Sequence, residues 1–254
     1  NPMKSAAARL PPRLLGVPAA RFVVYSGRKS RTASQFVDAT TVPIVAHAFD
    51  YEAYRDIAQS APPIGDTAVF IDEYRPYHPD LKEMGLGYTQ EETAYYFARM
   101  RDAFDRVENE LGLKVVIAAM PRANYADKPG VFGDRQIEYG KTAELVASSK
   151  LVLAHRSTAI GFAVMFAKPI VQIATHDIYQ ERVQKPYFDA FAAVLGKPIQ
   201  FCDDARKIDL TDALAFDPDR YAGFIQDYVA EAPSDKPFWQ VVMENAEKSL
   251  AESS

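Results

Sequence analysis

The sequence predicts an α/β fold in which a parallel sheet carries helices on both faces, with a smaller α/β part ahead of it. Three observations lead there. Residues 151–173 read as strand, polar turn, helix, turn and second strand in one short run. Lys114-Val-Val-Ile-Ala-Ala119 is apolar after its first residue, the pattern of a strand buried on both faces of a parallel sheet. Apolar runs of strand length then alternate with helix-period segments along most of the chain, which is the signature of a layered α/β domain.

The elements follow in order. Residues 1–20 are rich in Ala, Pro and Arg, and prolines at positions 2, 11, 12 and 18 forbid a continuous helix there, so a leader or remnant is expected. Phe22–Tyr25 and Val42–Ala46 read as short buried strands, and Asp50 is placed to cap a helix over residues 51–60. Ser60-Ala-Pro-Pro-Ile-Gly65 interrupts every period and marks a linker, dividing the chain into residues 1–66 and 67–254. Thr67–Asp72 is a strand that ends in acids. Thr89-Gln-Glu-Glu92 forms a capping box for a helix to Leu111, with Phe97, the Arg101 stem, Phe104, Val107 and Leu111 on one face. After the 114–119 strand come a loop from Pro121 to Gly140 and a helix over 141–149. Helices at 178–194, 217–229 and 236–250 and a strand at Ile199–Cys202 complete the reading. Such a Rossmann-like sheet binds ligands outside the carboxyl ends of its strands.

Composition narrows the function classes. With 48% hydrophobic residues in a chain of 254, a sizeable core is affordable. A net charge of −5 lacks the basic excess of a nucleic-acid binder, so no nucleic-acid partner is expected. A single cysteine, Cys202, makes no internal disulfide, and the four histidines show no metal-ligand spacing, so the expected setting is reducing and cytoplasmic, with no metal. No apolar run reaches the roughly 18 residues that span a bilayer and no signal-peptide pattern opens the chain, which leaves peripheral contact at a membrane as the expected limit.

Three groups of residues fall at predicted carboxyl ends of strands. Asp72, Glu73 and His78 follow the 67–72 strand; an acid there can take a proton from a hydroxyl or attack a sugar carbon, and an imidazole exchanges protons near neutrality. Pro121 and Arg122 follow the 114–119 strand, where a guanidinium fork suits phosphate or carboxylate. His155, Ser157 and Thr158 follow the 151–154 strand. Ser157 stands at an expected helix N-cap, so hydroxyls and free backbone N–H groups would converge on one anion. His47 and His176 read as structural, and Tyr51, Tyr54, Tyr95 and Tyr96 as packing residues.

At these residues the chain resembles the C-terminal, donor-binding half of GT-B glycosyltransferases, over roughly Thr67 to Cys202. It is most similar to bacterial enzymes that use CMP-activated acidic sugars, the sialyltransferases and Kdo transferases of capsule and lipopolysaccharide assembly. Their acidic, His-Pro and Ser/Thr motifs correspond to Asp72-Glu73, Met120-Pro121 and Ser157-Thr158, with Met120 in place of the motif histidine. The resemblance implies Asp72 as base or nucleophile, Pro121 and Arg122 at the nucleotide, and Ser157 with Thr158 on phosphate. It implies residues 67–254 as the donor domain and residues 1–66 as a partial acceptor-side part. It implies a CMP-linked nucleotide-sugar donor, with a glycan or glycolipid acceptor and no further cofactor. Pyruvyl transfer, sugar-nucleotide epimerisation and a non-catalytic sugar- or nucleotide-binding subunit stay open beside it.

Overall fold

The computed structural model describes residues 16–60, 62–181, 184–204 and 208–252. The leader expected over residues 1–20 lies outside them up to residue 15, as does Ala61 of the expected linker. The chain divides into two compact units, one of residues up to Glu52 together with Gly223 onward, the other Ala53–Ala222. The division expected at residue 66 follows the proline signal; the compact units instead assign residues 53–66 to the larger body and the C-terminal stretch to the smaller one.

In the smaller unit, β1 (Phe22–Tyr25) pairs in parallel with β2 (Val42–Val45). Ile44 and Ala46 are buried against Phe238 and Val242 of the last helix, Phe238–Glu252. Gly27 lies against the backbone of a π-helical turn, Ile225–Val229, so closely that a Cβ would fall well inside van der Waals contact with main-chain atoms of Asp227 and Tyr228. Neither partner atom can rotate away. Gly27→Ala is therefore expected to destabilise this unit by about 1–3 kcal/mol, read as faster hydrogen exchange at the β1 and β2 amides; unchanged exchange would contradict the packing described.

The larger unit is built on six parallel strands: β3 (Thr67–Ile71), β4 (Lys114–Ala119), β5 (Ile137–Tyr139), β6 (Leu151–Ala154), β7 (Ile170–Ala174) and β8 (Gln200–Phe201). Their spatial order is β5-β4-β3-β6-β7-β8. The chain builds outward from β3 in one direction, then returns to β6 and builds outward in the other, the doubly wound order of Rossmann-like folds. Ala68 of β3 pairs with Leu151 of β6 and with Val115 of β4. All residues of β6 and β7 are buried, as their apolar runs require.

The helices of this unit include α1 (Phe49–Ser60), which the division of the chain crosses, α2 (Pro79–Glu83), α3 (Gln90–Leu111), α4 (Thr142–Ser148), α5 (Ile160–Met165), α6 (His176–Gln180) and α7 (Lys185–Leu195). The capping box forms as the sequence predicts: the Glu92 N–H donates to Thr89 Oγ1 at 3.1 Å and the Thr89 N–H to Glu92 Oε2 at 2.7 Å. The buried face of α3 is centred on Met100 and Phe104, with Arg101 and Leu111 only half-buried at its margins. Phe104 packs on Phe70 of β3 with ring centroids 5.0 Å apart.

Four expectations are corrected. Asp50 sits within the first turn of α1, not at its cap, because the helix starts one residue earlier at Phe49. The helix expected over 178–194 is two helices: α6 ends at Gln180, with Glu181 out of helical conformation, and Pro186 lies in the first turn of α7, where its missing N–H breaks no helical bond. The loop from Pro121 to Gly140 contains β5, whose three residues are too few for a periodic signal. The helix expected over 217–229 is α-helical from Pro218 to Phe224 and π-helical beyond. Among the described residues, no helix is long and apolar enough to cross a membrane.

Candidate functional site

Where the strand order reverses, the loops leaving β3 and β6 cannot cover one another, and a crevice opens at the carboxyl edge of the sheet. Here it is a cavity of about 380 Å³. The loop after β3 brings Asp72, Glu73 and His78 to it, the loop after β4 brings Pro121, and the loop after β6 brings Ser157 and Thr158. Six of the eight residues singled out from the sequence thus share one wall. Arg122 and His155 are not among the residues that line it.

Asp72 is 4% exposed. Its Oδ2 accepts a hydrogen bond from the Tyr125 hydroxyl at 2.8 Å. Its Oδ1 is buried and has no partner in hydrogen-bonding geometry, although the amides of Tyr74 and Met120 lie near enough to favour the charged form. Burial outweighs these donors, with the neighbouring Glu73 charge acting in the same sense, and pushes the carboxyl up to about 6. A carboxylate that titrates there, with one oxygen tied and one unsatisfied, is arranged to exchange a proton with a bound hydroxyl. The Tyr125 hydroxyl is raised in turn, by its own burial and by the Asp72 charge, so it stays a donor.

The next residues hold the loop. Glu73 Oε1 accepts the Arg156 N–H at 2.9 Å, joining the β3 and β6 loops across the reversal. Tyr74 sits in the left-handed region at φ 53°, ψ 32°, a conformation that costs a non-glycine residue about 1–3 kcal/mol and persists where neighbours over-determine it. Its hydroxyl donates to the Asn124 carbonyl at 3.1 Å. Arg75, 2% exposed, donates from Nη2 to both Glu181 oxygens at 2.9 Å. A 3₁₀ turn, Arg75–Tyr77, follows and delivers His78 as the cap of α2, its Nδ1 accepting the Asp80 N–H at 3.2 Å. That acceptor role engages Nδ1.

The group around Ser157 differs from its expectation. Helix α5 begins at Ile160 and has Ala159 at its cap, with a turn over 157–159 ahead of it. Ser157 Oγ accepts the Ala159 N–H at 3.2 Å, so the hydroxyl stabilises the turn and does not cap the helix. Thr158 is exposed on the cleft wall. His155 points into the core: its Nδ1 donates to the Ile173 carbonyl at 2.7 Å, its Nε2 accepts from the Tyr96 hydroxyl at 2.9 Å, and Phe70 stands edge-on at 5.3 Å. Complete burial lowers its pKa, and the ring is a neutral core group with both nitrogens occupied, not an anion contact. Arg122 is exposed within the Met120–Ala123 turn and does not line the cavity.

Three residues of the site are not singled out by the sequence: Arg75, Arg156 and Gln184. Arg75 and Arg156 lie inside the motifs that flag the loops, so a charge next to each flagged residue is the available signal. Gln184 reaches the site only through the tertiary fold, and nothing local marks it. Tyr125, which the sequence offers as a loop ring able to stack on a base or as plain surface, is instead buried and donates to Asp72. Among the described residues, no group of three His, Cys, Asp or Glu side chains is arranged to hold a metal ion.

No protein-family model matches the sequence, and no curated protein matches it. Among solved structures, the chain is similar to the spinosyn forosaminyltransferase SpnP, with a TM-score of 0.46 and 14% identity over 91% of this chain and 55% of that one. The chain thus spans about half the length of that protein.

Proposed function

We propose that the larger unit is the donor-binding part of a glycosyltransferase that moves an acidic sugar, Kdo- or sialic-acid-like, from a CMP donor to a glycan or glycolipid acceptor in the cytoplasm or at the membrane surface. One observation carries this reading. The unsatisfied Oδ1 of Asp72 lies buried at the wall of a crevice that also presents Arg156, Ser157 and Thr158. A base and an anion-facing loop lining one cavity are the two things that glycosyl transfer from a nucleotide requires.

The step is a single displacement. The acceptor oxygen bonds to the anomeric carbon, and its proton passes to the Asp72 carboxylate. The bond from that carbon to the donor phosphate breaks, and its electron pair leaves on cytidine monophosphate. Tyr125 holds the carboxylate by its Oδ2 and fixes its orientation. Met120, where the resembling enzymes carry an imidazole, supplies no proton to the leaving phosphate.

Calorimetry with CMP, UDP and GDP, followed by mass spectrometry of a reaction containing CMP-N-acetylneuraminate and a polysaccharide acceptor, tests the proposal. Binding of CMP ahead of the other two and a product heavier by one sugar residue are expected. Binding of none of the three nucleotides would remove the reading.

A further inference from the structure

We propose that Arg156 is the anion anchor of the cleft, its guanidinium taking an oxyanion of the bound donor. This rests on the reading of the cleft as a donor site, and goes beyond it by moving anion recognition from the Ser157 hydroxyl to the residue before it. The cavity presents three carboxylates, Asp72, Glu73 and Asp80, against two guanidinium groups, Arg75 and Arg156. Arg75 is neutralised by Glu181 at 2.9 Å and is almost fully buried. Arg156 is held quite differently. Its Nε donates to the side-chain carbonyl of Gln184, and its guanidinium carbon stands 5.1 Å from the ring centroid of Tyr187. Both partners are neutral. Among the described residues, no carboxylate forms an ion pair with the Arg156 guanidinium.

Those two contacts fix the plane of the fork while leaving its Nη donors unused, at a cavity wall otherwise dominated by negative charge. Gln184 is itself 2% exposed, so the carbonyl that holds Nε has no freedom to follow another partner. A planar guanidinium whose orientation is already set loses little entropy on binding and matches two oxygens of a phosphate or carboxylate at once. Ser157 is less suited, because its oxygen already serves the Ala159 N–H, and the six-residue α5 adds only a short run of aligned peptides.

The donor carries two such groups, the phosphate and the carboxylate of an acidic sugar, and the test separates them. Calorimetry compares CMP, cytidine, inorganic phosphate and N-acetylneuraminate on the full chain and on Arg156→Gln, Arg156→Lys, Tyr187→Ala and Lys150→Gln. Lys150 pairs with Asp66 at the opposite edge of the sheet and reports on general charge effects. Arg156→Gln is expected to weaken CMP binding by about 10- to 100-fold, the loss typical of a charge-assisted hydrogen bond. Arg156→Lys falls between, since it keeps charge and loses the fork, and Lys150→Gln binds as the parent does. Tyr187 is 53% exposed, so Tyr187→Ala leaves the core intact; it is expected to weaken CMP binding about 3- to 10-fold through the lost stack. It decides the matter if Arg156→Gln does not fold. Arg156-dependent binding of N-acetylneuraminate but not phosphate assigns the fork to the sugar carboxylate. Arg156-dependent binding of phosphate or N-acetylneuraminate without any affinity for CMP upholds the anchor and removes the nucleotide reading. CMP bound equally by the parent, Arg156→Gln and Tyr187→Ala overturns the anchor and leaves the nucleotide reading in place, and a parent that binds none of the four probes overturns both.

Discussion

Asp72→Asn is expected to slow sugar transfer by about 10²- to 10⁴-fold while raising the melting temperature of the protein at pH 8. The two effects share one cause. Burial raises the Asp72 carboxyl from 3.8 to about 6, so at pH 8 the folded protein holds a charge that its surroundings disfavour. A folded-state pKa above the unfolded one favours the folded state fully at low pH, and that contribution is lost as pH rises from about 4 through 6. The difference corresponds to roughly 3 kcal/mol at most. Asparagine keeps the acceptor for Tyr125 and carries no charge to desolvate, so several degrees of stabilisation are expected at pH 8. The gain should shrink toward pH 4 and vanish below it, as Asp72 becomes protonated in both states. In the parent, kcat/KM should rise with pH through about 6 and level off, since only the deprotonated carboxylate accepts a proton. Melting curves at pH 4, 6 and 8 beside a transfer assay check all of this. Full turnover by the variant would exclude Asp72 as the base, and a variant less stable at pH 8 than at pH 4, relative to the parent, would exclude the burial argument.

Glu181→Leu is expected to cost about 3 kcal/mol of stability. Removing the carboxylate leaves the Arg75 charge buried, with the Tyr88 hydroxyl 3.4 Å from Nε as its remaining side-chain partner. The estimate sits at the low end of the range for broken buried pairs because the Glu181 side chain is 18% exposed and is partly screened by water. Replacing both partners, as Arg75→Met with Glu181→Leu, removes the uncompensated charge and is expected to return stability to within about 1–2 kcal/mol of the parent. Urea unfolding of the parent, both single variants and the double variant measures the coupling. A Glu181→Leu protein as stable as the parent would mean that Arg75 finds another partner and that the loop after β3 is not held by this pair.

The alternation of apolar strands with helical periods, the Thr89–Glu92 capping box and the acids at the end of β3 are all local, and all were legible in the sequence. So was the sharing of one sheet edge by Asp72, Pro121 and Ser157, because each follows directly on a strand and parallel strands point their carboxyl ends the same way. Pro186 carried a readable break that the apolar run around it obscured. His155 was misplaced because it directly follows a strand at the ligand edge, and only the tertiary fold turns its ring inward to Tyr96 and Ile173. Ser157 was misplaced because a turn residue and an N-cap have the same sequence signature.

What the sequence by itself determined is the layered α/β character of the larger unit and the set of loops from which a site can be built, since propensity, capping and hydrophobic period act over a few residues. Only the tertiary structure decided that β3 and β6 are neighbours, that Tyr125 meets Asp72 across 53 residues and that Gln184 meets Arg156 across 28. Strand order and burial depend on contacts between distant segments, and it is burial, not residue identity, that moves the Asp72 carboxyl.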